Sequence, residues 1–244
     1  MPNLIRFGTG GRGASISAPI IGEDFSWTGG DGTYQVLDDG GGNWRIKFLS
    51  SGTFTPLKNM VVDAFLVGGG GGSGNSFCGS GGAGYTTTVR SIVLAANTAY
   101  PIVVGAAGTN GIGSNSTNGG ETTAFSASAA GGKCSANGAS GKVTPGGNGG
   151  SGGGGSGSVP YGKAAGGTDG SDGTDGSSKG GTGQGTTTRE FGEANGDLYA
   201  SGGGSNLTAT VANSGNGGKY QLSTSSIAAA DGIVVIRQHK EVAA

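Results

Sequence analysis

Spacing of apolar and polar positions along the chain predicts strands and no helix. "WRIKFLS", from Trp44, alternates; "TFTPL" (53–57) follows, and then the almost wholly apolar "MVVDAFLV" (60–67). Further on come "YTTTVRSIVL" (85–94), "AYPIVVG" (99–105), "ETTAFSASA" (121–129), "KYQLSTSS" and "DGIVVIRQ" (231–238). β-Branched and aromatic residues bounded by Gly, Ser and Asn mark strands. Shorter apolar pieces, "SISAPIIG" and "TYQVL", precede residue 44. No window carries the 3.6-residue apolar period of a helix. The expected class is all-β: β-sandwich-like strands with almost no α-helix, and Trp44, Phe48, Phe54 and Phe65 in strand cores.

Between strands the chain turns to glycine. "DAFLVGGGGGSGNSFCGSGGAGYTTTV", from Asp63 to Val89, enters as a strand, becomes glycine and leaves as another strand. Sixty of the 244 residues are glycine, about a quarter, against a usual ~7%. Glycine at this density opposes a helix by ~1 kcal/mol per residue. A flexible Gly/Ser linker is the plain alternative, because ordering a residue costs ~1–2 kcal/mol and glycine loses most. Strands nevertheless recur inside the glycine zone, so its ends are pinned repeatedly to something packed. The ordered form that suits glycine is an extended helix of three residues per turn, without internal hydrogen bonds. Its N–H and C=O groups must then be satisfied laterally, and the missing Cβ lets neighbouring backbones approach. "GTDGSDGTDG" places Gly167, Gly170, Gly173 and Gly176 three apart, with Thr, Ser and Asp outward. Collagen is excluded, since the period is not sustained and prolines number six. A laterally bonded bundle of such extended glycine helices, with the glycine a folded material, is the expectation.

Charge narrows the partners. Charged residues make up 12% and the net charge is −1, so self-repulsion does not hold the chain open. There is no basic excess for nucleic acid or an anionic membrane. No apolar run approaches the ~20 residues of a membrane-inserted helix. "MPNLIRFGTGGRGASISAPIIG" lacks the basic cluster and apolar core of a Sec signal, so synthesis and solubility in a cytoplasm until assembly are expected. Cys78 and Cys134, without CxxC spacing, read as free thiols rather than as a disulfide framework or a zinc site.

Catalytic chemistry finds little to stand on. The four Gly-Lys pairs are followed by Cys134, Val143, Ala164 and Tyr220, so none completes a phosphate loop. Asp169, Asp172 and Asp175 lack the nonapeptide phase of calcium-binding repeats and read as a solvated acidic edge. The single histidine, His239, sits in the polar tail "RQHKEVAA", a poor foundation for a nucleophile–base pair. Asp38–Asp39, Glu190 and Glu193 are near one another only in sequence, which does not supply a positioned carboxylate pair. No enzyme, cofactor or metal site is expected.

Two groups of residues suggest binding instead. Phe77, Tyr161, Phe191 and Tyr199 interrupt glycine-rich or polar stretches, and rigid aromatics on loops serve recognition of glycans or proteins. They are the candidate receptor contacts; the competing role is plugging gaps between layers. Leu4, Ile5, Phe7, Ile20 and Ile21 are apolar without a period that one small element could bury. Exposed apolar residues of this kind meet a partner, so these are the candidate attachment residues, with Arg6 and Arg12 at the rim. The division expected is an attachment segment over 1–45 and a glycine-rich β/polyglycine-II domain over 46–244.

In their order, "GTFTPLKNMVVDAFLVGGGGGSG", "GGAGYTTTVRSIVL", "AYPIVVGAAGTNG", "GGETTAFSASAAGG" and "DGIVVIR" resemble the glycine-rich domain of bacteriophage tail and fibre proteins. The resemblance covers about residues 50–238 and rests on motif order, since glycine runs alone match everything. "TPLKNM" departs from the family's usual Val-Pro-Ala-Gly turn, and "GAAGTNG" is less rich in glycine. The resemblance implies polyglycine-II helices layered beside strands, and recognition by variable loops at one end of the layer. Those loops do not align, so no binding residue carries over. It implies a virion structural protein of a tailed phage, a tail-fibre, tip or adhesin component that binds without catalysis. A head fibre or capsid decoration protein and a bacterial extracellular adhesin are the alternatives. Expected partners are other virion proteins through the N-terminal segment and a host-surface glycan or protein. Fibres favour cyclic symmetry, which makes a homotrimer attractive, although a single chain on a trimeric stem fits equally.

Overall fold

Alternation along the sequence becomes two antiparallel sheets of five strands each in the computed structural model, which describes residues 18–74, 79–111, 116–135, 146–154, 188–204, 208–219 and 227–238. The strands are β1 (Phe25–Trp27), β2 (Tyr34–Gly40), β3 (Asn43–Phe48), β4 (Gly52–Pro56), β5 (Met60–Val67), β6 (Thr86–Leu94), β7 (Tyr100–Val103), β8 (Thr122–Ala124), β9 (Ala127–Ala129) and β10 (Ile233–Gln238). One sheet has the order β1-β4-β7-β8-β9 and the other β2-β3-β10-β5-β6. Among the described residues there is no α-helix; a 3-10 turn at Glu190–Gly192 is the helical element described.

The two sheets enclose an aromatic core. Phe25, Trp27 and Phe54 from the first sheet meet Trp44, Ile46, Phe48, Leu66 and Ile236 from the second. Ring centroids stand 5.5 Å apart for Phe25–Phe54 and for Phe48–Phe54, and 4.7 Å for Trp27–Phe48. Residues 25–45, assigned from sequence to an attachment segment, are therefore part of this sandwich. β1 pairs with β4, β2 pairs with β3, and β3 runs across the expected 45/46 boundary. The correction has a simple cause: "FSW" and "YQVL" are too short to show a period, yet their inward residues complete the core.

"ETTAFSASA" is a hairpin rather than one strand. Phe125 and Ser126 form its turn with φ of +51° and +62°, values at which glycine or asparagine is the usual choice. Phe125 packs on Tyr100 at 5.8 Å and on Phe54 at 6.5 Å, so side-chain packing offsets the backbone cost. Asp63, the one charge in "MVVDAFLV", sits at a register irregularity between β5 and β6. Its buried carboxylate accepts from the Ser91 amide and is bonded by Arg90 and Arg237.

The glycine is folded, and its bonding repeats every three residues. Along 68–72, the amides of Gly68 and Gly71 donate to Tyr85 and Gly82 of one neighbouring segment. Those of Gly69 and Gly72 donate to Gly120 and Thr117 of a second, and that of Gly70 to Ala230 of a third. Along 80–85 the rule holds again: Ser80 and Ala83 donate to Gly154 and Ser151, Gly81 and Gly84 to Gly218 and Gly215, Gly82 and Tyr85 to Lys133 and Ala130. Carbonyls of 69–72 accept from three further segments, through Gly132 and Ser135, Gly108, and Gly218. Donors three apart facing one neighbour, with neighbours on all sides, are the signature of a three-residue helix in a hexagonal bundle. Glycine is required by proximity: a Cβ built on Gly81 would overlap the carbonyl of Gly71, and one on Gly71 the carbonyl of Lys133. Side chains enter where the lattice breaks. The carboxamide of Asn110 accepts from the Ser73 amide and donates to the Ile227 carbonyl, standing in for a backbone segment.

Candidate functional site

Segments leaving β5, β7 and β9 run away from the sheets into the lattice, and segments returning to β6, β8 and β10 run back. Gly111 bonds to Ser73, Ser135 to Gly72, Ser80 to Gly154, and Lys219 with Ile227 in both directions. These bonds mark the lattice end remote from the sandwich. The sequence stretches 75–78, 112–115, 136–145, 155–187, 205–207 and 220–226 begin there and lie outside the described residues. Phe77 and Tyr161 fall within them, as do Cys78 and the three-residue glycine period of 167–176; Leu4, Ile5, Phe7 and His239 are also outside the described residues. Cys134 is half-buried.

Phe191 and Tyr199 are described, and they correct the sequence reading. They are 3% and 7% exposed and pack on Phe65 at 6.0 and 5.5 Å. Together with Val67, Ile233 and Val235 they form a second small core on the outer face of the β2-β3-β10-β5-β6 sheet. Neither ring has a free face for a receptor. Gap-filling wins because β5 and β10 carry apolar residues on both faces, and the outer ones need cover. Ile20 and Ile21, by contrast, are 49% and 42% exposed beside β1, where the Ile20 amide donates to the Asp24 carboxylate. Lys58, 2.7 Å away, and that amide hold the Asp24 carboxyl below its ordinary range.

The cover itself is residues 188–199, a loop closed on itself. The Tyr199 amide donates to Thr188, that of Glu190 to Asp197, and Arg189 forms a bridge with Leu198. Phe191 adopts a left-handed φ of +55° inside it. Charge fastens the loop to the sheet. Arg45 reaches the buried Glu190 at 2.7 Å, and also Asp39 at 2.8 Å. Lys47 contacts Asp197 at 2.9 Å and the Tyr199 hydroxyl at 3.0 Å, while that hydroxyl donates to Glu190. Arg237 contacts Glu193 at 2.7 Å and lies 4.1 Å from the Phe191 ring. The Arg90 guanidinium donates to the Phe191 carbonyl.

This network sets the protonation of its members. Burial pushes the Tyr199 phenol up to about 12, so it stays neutral and donates. The Lys47 hydrogen bond holds the Asp197 carboxyl below its ordinary value. Burial works against the Lys47 ammonium, but its bonds to Tyr199 and Asp197 and the charge of Glu190 outweigh that, raising its pKa. A cleft of about 230 Å³ opens beside the loop, rimmed by Asp39, Asn43, Arg45, Glu193, Asn195 and Gln238, with Trp44 and Phe191 also lining it. The carboxylates here are each opposed by a cation and serve attachment. Among the described residues no group of three or more His, Cys, Asp and Glu side chains is placed to hold a metal ion, and no helix is long and apolar enough to cross a membrane.

Sequence reasoning missed this ion network. Arg45 and Lys47 alternate with the inward Trp44 and Ile46, which marks them as outward-facing, but nothing in the spacing points to partners some 145 residues away. A model of a known family, described as a glycine-rich domain, matches residues 49–239. No curated protein matches the chain.

Proposed function

The chain belongs to the glycine-rich domain family, and from that premise we propose that it is a virion structural protein of a tailed bacteriophage. In this reading it is a tail-fibre or tip component that acts by binding and without catalysis. One observation carries it: the glycine segments form a backbone-bonded lattice rooted directly in the strands of the sandwich. Such a lattice is stiff and needs few side chains. A rigid support is what a recognition surface built on loops requires. The order of motifs shared with phage tail and fibre proteins points the same way. The ligand expected is a host-surface glycan or protein. Residues 1–22, with Ile20 and Ile21 exposed, are the part assigned to docking on a neighbouring virion protein.

The test is immunogold electron microscopy of phage particles, using antibody raised against the purified chain. Gold at the tail tip or fibres is expected. Gold on the capsid would move the protein to head-fibre or decoration duty, and particles without gold would overturn the virion assignment altogether.

A further inference from the structure

The loop over the outer sheet face behaves as a bound ligand. Its described backbone bonds over residues 189–199 close within the loop, and its attachments to the sheet run through side chains and one carbonyl. Among the described residues after Thr188, backbone bonding to the lattice begins at Ala200, which donates to Ser214 and takes a left-handed φ of +59°.

The face beneath has the composition of a docking site. Register places Arg45, Arg237 and Asp63 side by side on β3, β10 and β5, with Lys47, Val235 and Phe65 in a second row. With Arg90 from β6, the face presents four cations and one carboxylate around an apolar floor of Phe65, Val67, Ile233 and Val235. Its present occupant complements it on both counts. Glu190, Glu193 and Asp197 meet the cations, and Phe191 and Tyr199 fill the floor.

We propose that residues 188–199 occupy in cis a docking face for acidic, aromatic-bearing peptide, and that such a segment of a partner protein takes the face when the loop lifts about Tyr199–Ala200. The partner is recognised by charge complementarity to Arg45, Lys47 and Arg237 and by insertion of a ring against Phe65. A nucleic acid would meet the same cations but has no reason to need the apolar floor, so it serves as the competing ligand in the test.

Two measurements on the full chain decide it. Hydrogen exchange read by mass spectrometry, from about 20 to about 500 mM NaCl, screens the partly exposed ion pairs. Exchange over 188–199 should rise about tenfold with salt while amides of β5 and β10 hold. Second, a fluorescein-labelled peptide of sequence TREFGEANGDLY is titrated by anisotropy into wild type and into the double variant Glu193→Arg/Asp197→Arg. Both substituted residues are largely exposed, so the variant loosens the loop without touching the core. The peptide should bind the variant about tenfold more tightly than wild type, and a peptide with Phe191→Ala should not bind. Salt-independent exchange of the loop would make it a fixed part of the core and overturn the proposal. Equal affinity for both proteins, or binding of single-stranded DNA in place of the peptide, would overturn it too.

Discussion

Replacing Gly81 by alanine tests the lattice at its centre. Gly81 donates to Gly218 at 2.9 Å and accepts from Gly203 at 3.0 Å, while its own Cα faces the Gly71 carbonyl. An added methyl would overlap that carbonyl, and the obstacle is backbone, with no rotamer to yield. Overpacking of a close-packed site costs about 1–3 kcal/mol. Relief requires segment 80–85 to move away from 68–72, stretching two lateral hydrogen bonds worth about 1 kcal/mol each. The sum is about 3–5 kcal/mol, which for a chain of this length lowers the melting temperature by about 6–20 °C. Gly32→Ala is the control: it has open space around a Cβ but a φ of +74°, so only the backbone cost of about 1 kcal/mol is expected. Thermal unfolding followed by calorimetry separates the two. If Gly81→Ala melts with the wild type, or above Gly32→Ala, the close lateral approach of the segments is refuted.

Phe65→Ala removes the floor shared by Phe191 and Tyr199 and should cost about 3–5 kcal/mol, with exchange over 188–199 rising more than over β1 to β4. Acid should loosen the same loop: the hydrogen bond from Lys47 holds the Asp197 carboxyl below its ordinary range, so its contribution is complete above the ordinary carboxylate range and is lost as pH falls through the lowered value. Asp197→Asn should flatten that acid limb of a melting-temperature profile while leaving the neutral region little changed. Among the described residues, deleting 1–22 takes Ala18 from the edge of the core and the buried Pro19, so the thermal transition should persist by calorimetry while incorporation into particles, measured by copy number, is lost.

How much of this was legible in the sequence depended on the range of the interactions. Strands β3, β5, β6, β7 and β10 announced themselves because alternation or apolar runs are local properties, and Trp44, Phe48, Phe54 and Phe65 fell where those patterns put them. The β8–β9 turn at Phe125–Ser126 was hidden, since its left-handed residues are held by tertiary contacts to Tyr100 and Phe54 rather than by turn chemistry. The glycine lattice was inferable as a principle, from three-residue geometry and the lack of Cβ. Its neighbours were not: which segment Gly71 or Gly82 bonds is fixed only when the strands beside it are in register. The same limit explains Phe191 and Tyr199, whose glycine-rich surroundings suggested display. Their burial follows from the apolar outer faces of β5 and β10, a fact of sheet order that no single stretch of sequence contains.

Residue-resolved hydrogen exchange of the glycine amides tests the central claim that glycine here is a folded material. Gly70, Gly71, Gly82 and Gly84 each donate to another segment inside the bundle, and exchange requires that bond to open. The account predicts protection for these four amides comparable with that of Phe65 in β5 and Val235 in β10. Exchange at the rate of an unstructured chain, with β5 and β10 still protected, would contradict it and return the glycine to the role of a linker.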